Sequence, residues 1–135
     1  ARLLSGHPAR VAGCGWRGML PVGEQTRVFI VLGSTDMRKA INGLSLMVAD
    51  HLDLDVFTGN LFVFCNRSRT IIKVLYWDRN GFCLWQKRLE KHRFAWPESR
   101  QEVLELGHRQ LRWLLDGLDP AQVRGHPSLN YKNIV

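Results

Sequence analysis

The sequence predicts a single α+β domain, a mostly antiparallel β-sheet meander packed with two helices. Three observations predict it. Leu61–Cys65, Thr70–Trp77 and Phe82–Trp85 are short apolar runs, rich in β-branched and aromatic residues and each closed by polar punctuation, which is strand composition. Asp78-Arg79-Asn80-Gly81 lies between the second and third runs and has the chemistry of a tight hairpin, with Gly81 suited to a left-handed position. Two stretches with helical periodicity flank this meander. The 135 residues suffice for one domain with a proper core but not for two.

In chain order, residues 1–18 are Gly- and Arg-rich without any period and are expected to form a disordered leader, with Met19 available as the natural start. The domain is expected over residues 19–119. Arg27–Leu32 (RVFIVL) reads as a strand, and Gly33-Ser34-Thr35-Asp36 as a turn whose Thr35 or Asp36 caps a helix. That helix carries Met37, Ile41, Leu44 and Val48 on one stripe and ends near Asp50. Gly43 inside it costs roughly 1 kcal/mol relative to Ala, which close packing on a sheet would explain.

His51–Asn60 is a loop leading into the meander. Phe94-Ala95-Trp96-Pro97 is expected as a last short strand stopped by the proline. Glu102–Leu106 suits strand or helix and is read as a strand. His108–Asp116 places Leu111, Leu114 and Leu115 on one helical face, with Gly117 suited to the position past its end. Residues 120–135 turn polar and punctuated and read as a loose C-terminal tail.

Charge is the strongest functional signal. The formal net charge is +7, and residues 65–93 carry eight cations against two acids. Such a basic patch attracts nucleic acid, and would attract an acidic protein as well. The candidate phosphate-binding residues are Arg67, Arg69, Lys73, Arg79, Lys87, Arg88, Lys91 and Arg93, with Arg38 and Lys39 extending the surface. A two-residue loop at Asn80-Gly81 sets Lys73 opposite Arg88, and a three-residue loop sets it opposite Lys87. Like charges facing across strands destabilise mildly, so an anionic partner would compensate. Tyr76, Trp77, Phe82 and Trp85 alternate with the cations, but tryptophans in so small a domain are usually core.

Cys14, Cys65 and Cys83 have no C-x-x-C spacing and cannot form a closed disulfide set, which points to a reducing, cytoplasmic location. No run of about 18 apolar residues suggests a membrane span. No catalytic constellation emerges. Asp36, Asp50, Asp53, Asp55, Asp78 and Glu90 scatter over caps, loops and turns, whereas a metal-dependent nuclease needs converging acids. Cys65, Cys83, His92 and His108 match no common zinc spacing. G-x-S-x-G and the phosphate-cradling glycine motifs are missing. No cofactor or metal is expected.

Two groups of residues carry a family resemblance. One is Gly33-Ser34-Thr35-Asp36-Met37-Arg38-Lys39 with Asn42-Gly43-Leu44. The other runs from Gly59-Asn60-Leu61-Phe62-Val63-Phe64 through Lys73-Val74-Leu75-Tyr76-Trp77-Asp78, Gly81-Phe82-Cys83-Leu84 and Lys87-Arg88-Leu89-Glu90 to Phe94-Ala95-Trp96-Pro97. Together they resemble the small accessory proteins of bacterial insertion sequence 66 family elements, often called TnpB and distinct from the RNA-guided nuclease of that name. The similarity runs from about Met19 to Asp119. Departures include Tyr76 in place of the first of two tryptophans, and Gly107 where a Ser or Thr cap is common. The resemblance implies a non-catalytic role in transposition beside a separate catalytic transposase, which is the expected protein partner; DNA is the partner expected from the basic patch. An adaptor that docks on the transposase without touching DNA is the alternative, and a stand-alone nuclease is a third class.

Overall fold

A computed structural model describes Leu20 and residues 22–117. The expected leader (1–18) and C-terminal tail (120–135), including Cys14, lie outside the described residues. The strands are Val28–Val31 (β1), Leu61–Cys65 (β2), Ile71–Asp78 (β3), Gly81–Arg88 (β4) and Val103–Leu106 (β5). They form one sheet in the order β4-β3-β2-β1-β5. β2, β3 and β4 make the expected antiparallel meander, and β5 pairs antiparallel with β1. β1 and β2 pair in parallel. A parallel pair needs a crossover, and the segment between them supplies it: a short α-helix, Ile41–Leu46 (α1), continued by a π-helical turn over Met47–His51. The second helix is His108–Asp116 (α2).

The helices lie on opposite faces of the sheet, which explains why β2 is buried at all five positions rather than alternating. Leu61, Val63, Ile72, Val74, Tyr76 and Trp85 join Leu111, Leu114 and Leu115 in the core under α2. Phe62, Phe64 and Leu75 point the other way and meet Leu44 and Val48. Cys65 and Cys83 are free and buried. Burial pushes the Cys65 thiol up to about 11, outweighing the nearby Arg69 cation.

Four expectations are corrected. The first helix begins at Ile41, not Met37, and its cap position is Ala40, without a side-chain cap. Asp36 instead organises a turn: its carboxylate accepts from the Arg38 backbone N–H at 2.9 Å, and its carbonyl accepts from the Lys39 N–H. Lys73 explains the late start. Its ammonium donates to the Met37 and Lys39 carbonyls at 2.8 and 2.9 Å, occupying acceptors that a helix beginning there would use for its own ladder.

The hairpin register is the second correction. Asp78 pairs with Gly81, so Arg79-Asn80 is the loop and Lys73 faces Gln86. Neither expected like-charge pair forms. Arg79 adopts the left-handed conformation, at φ +52°, and Gly81 does not.

Third, Phe94–Pro97 forms no strand; Phe94 and Trp96 are irregular segments buried in the α2-side core. Fourth, Gly43 does not pack on the sheet, since a Cβ there would meet the Lys39 stem at 3.3 Å.

Candidate nucleic-acid interface

The strand registers bring one set of loops together. Val31 pairs with Val103, Cys65 with Ile72 and Ile71 with Arg88. The ends of β1, β2 and β4 and the starts of β3 and β5 therefore share one end of the sheet. Loops 33–40, 66–70 and 88–93 emerge there with seven cations (Arg38, Lys39, Arg67, Arg69, Arg88, Lys91 and Arg93) and two carboxylates (Asp36 and Glu90), and the segment entering β5 adds Arg100 with Glu98 and Glu102.

Short hydrogen bonds tie these loops to one another. Thr35 N–H donates to the Cys65 carbonyl at 2.8 Å and Phe94 N–H to the Arg69 carbonyl at 2.7 Å. The Arg69 guanidinium donates to the Gly33 carbonyl at 3.0 Å. Asn66 shapes the middle loop: its Oδ1 accepts from the N–H groups of Thr70 and Ile71, and its Nδ2 donates to Ser68 and Thr70 hydroxyls. Sequence reading missed this residue's part, although Asn66-Arg67-Ser68-Arg69-Thr70 between two apolar runs has the side chains of a hydrogen-bonded turn.

The ten candidate residues separate into three groups. Lys39, Arg67, Lys91 and Arg93 are exposed, and among the described residues none has a side-chain hydrogen bond or ion pair. Arg38 and Arg88 are exposed but paired, with Asp36 at 2.7 Å and Glu90 at 3.1 Å. Such surface pairs are weak, so an incoming phosphate can replace the carboxylate. Arg38 holds the Asp36 carboxyl well below its usual range, at about 2. Arg69 is half-buried and partly committed to the Gly33 carbonyl.

The remaining three lie elsewhere. Lys73 is 7% exposed, its ammonium engaged as described above. Lys87 is on the opposite face and donates to the Leu115 carbonyl at 2.7 Å, where a cation complements the carboxyl end of α2. Arg79 sits at the hairpin tip, at the far end of the sheet.

A cleft of about 360 Å³ lies between the end of β1, the π-helical turn and residues 99–102. Its lining includes His51, Gln101 and Glu102 but no Lys or Arg, so the loops rather than the cleft form the cationic surface. Among the described residues, no group of three or more His, Cys, Asp or Glu is placed to hold a metal ion. No helix among them is long and apolar enough to cross a membrane.

Fold and surface thus define a small α+β protein with one markedly cationic end. The chain belongs to the IS66 Orf2-like protein family, which matches residues 26–125, and with it to the accessory proteins of insertion-sequence transposition. Two relatives come from Sinorhizobium fredii (strain NBRC 101917 / NGR234). One, named "Uncharacterized protein y4hO", is 44% identical over 75% of this chain and 88% of its own length. The other, "Uncharacterized protein y4jC", is 30% identical over 75% of this chain and 86% of its own length. No solved structure matches.

Proposed function

We propose that the protein is a non-catalytic, cytoplasmic accessory factor that holds DNA during transposition by phosphate contacts at the cationic end of its sheet. The carrying observation is the convergence of seven cations from three loops, four of them free of other side-chain partners among the described residues. Folding gains little from placing like charges side by side, whereas a polyanion gains from all of them together. The buried free thiols of Cys65 and Cys83 suit a reducing compartment.

Neutralising about four to six phosphates makes log affinity fall with log salt at a slope of roughly −4 to −5. A fluorescence-anisotropy titration of duplex DNA at several salt concentrations measures this slope. Binding that is indifferent to salt would overturn the reading.

The second reading is a transposase adaptor using the same end, favoured by the Asp36–Arg38 and Glu90–Arg88 pairs, which show that carboxylates already fit these arginines. It predicts no DNA affinity at modest salt but retention of the transposase in a pull-down.

A further inference from the structure

We infer that β4 is a self-pairing edge, and that the protein forms a twofold dimer by joining β4 of two copies into a continuous sheet. β4 is eight residues long and, among the described residues, pairs only with β3. The Leu89 N–H donates to the Thr70 carbonyl at 2.8 Å, which fixes the alternation: odd-numbered residues bond β3, and even-numbered ones turn their backbone groups outward. Phe82, Leu84, Gln86 and Arg88 therefore present N–H and C=O groups at the edge, and among the described residues no hydrogen bond takes them up. Edge strands are usually blunted by a proline, a bulge or an inward-pointing charge. β4 has no proline and keeps an unbroken register with β3 from Gly81 to Arg88; its one inward-turned cation, Lys87, lies near the end of the strand with its ammonium engaged by the Leu115 carbonyl.

The strand's sequence chooses the occupant. With a twofold axis at Leu84, Leu84 faces Leu84 of the second copy, Phe82 faces Gln86 and Cys83 faces Trp85. Lys87 and Arg88 then fall opposite Gly81 and Asn80, with no cation directly opposite either. The outward backbone groups of residues 82, 84 and 86 meet as hydrogen-bonded pairs. Moving the axis to Gln86 sets Lys87 against Trp85 and Arg88 against Leu84, and moving it to Lys87 sets that lysine against itself. Of these three registers, the Leu84-centred one sets apolar against apolar at its centre and puts neither an apolar side chain nor a cation directly opposite Lys87 or Arg88. Half-buried Phe82 and Leu84 would gain cover from the second sheet.

The test uses the full chain in size-exclusion chromatography with light scattering. Wild type should run at twice the 15.6 kDa of one chain and dissociate on dilution. Leu84→Lys and Leu84→Glu should each be monomeric, since each sets like charges directly opposite, and an equimolar mixture should recover the dimer. Gln86→Pro removes an outward N–H that β3 does not use, and should abolish the dimer while keeping the circular dichroism spectrum. The unmutated chain gives a further readout: amide exchange at Phe82, Leu84 and Gln86 should slow as protein concentration rises. A monomeric wild type, as would follow if residues 118–135 or another partner cover the edge, overturns the inference. So do charged variants that dimerise alone, a mixture that stays monomeric, or exchange at these amides that ignores concentration.

Discussion

Lys73 shows how a residue's chemistry can be read correctly and its role missed. Its charge is part of the sequence's basic cluster, yet it donates to two backbone carbonyls and secures the turn that carries Arg38 and Lys39. Hydrogen bonds involving a charged group contribute about 1.5–3 kcal/mol. Lys73→Met should therefore lower unfolding free energy by about 2 kcal/mol in a urea titration, whereas a phosphate contact would leave stability unchanged. The Asp36 carboxyl, held at about 2 by Arg38, is a second residue-scale case. A depressed folded-state pKa contributes stability above the unfolded value of about 4, and that stability is lost as pH falls through about 2. An NMR titration should find its midpoint near 2, and Arg38→Ala should return it toward 4. A midpoint that ignores Arg38 would show that the turn, not the pair, sets it.

At the scale of elements, the meander was legible because apolar runs of strand length were punctuated at each end, and α2 because its leucines recur every three or four residues. Gly117 was legible for a stricter reason: it takes φ +71°, where a β-carbon is strained and would also meet Leu89 at 3.2 Å. The start of α1 was not legible, since the carbonyls that would begin it are claimed by a lysine 34 and 36 residues away in sequence. The parallel β1–β2 pair was equally hidden, because continuous apolar runs do not reveal strand direction. Lys87 is the element-scale contrast with its neighbour. Its half-buried ammonium holds the last turn of α2, while Arg88 is paired on the surface. Lys87→Ala should cost about 1–2 kcal/mol and Arg88→Ala no more than about 1 kcal/mol. Equal losses in thermal or urea unfolding would contradict this division. It also makes the pair unsuitable for joint charge reversal as a probe of DNA binding.

Across the whole molecule, the sheet separates two ends that sequence order interleaves. The surplus charge of residues 65–93 could be counted in the sequence, but its partition could not: Lys73 and Lys87 turn inward, Arg79 goes to the far end, and Arg38 and Lys39 arrive from some thirty residues upstream. At the far end, Arg79 crowns the hairpin near the Phe57, Trp77 and Phe82 rings, whose centroids lie 5.0 to 5.5 Å apart, and Arg27 pairs with Glu105 at 2.7 Å. A polyanion held at one end distinguishes the two. Arg67→Glu, Lys91→Glu and Arg93→Glu together should weaken DNA binding across all sequences alike and reduce the magnitude of the salt slope by about 3. Arg79→Glu alters net charge in the same direction at the wrong place and should leave the slope nearly unchanged. None of these exposed side chains serves the core, so thermal unfolding should move little in either protein. If Arg79→Glu costs as much affinity per charge as the triple variant, binding responds to net charge alone and the cationic end is not the contact surface.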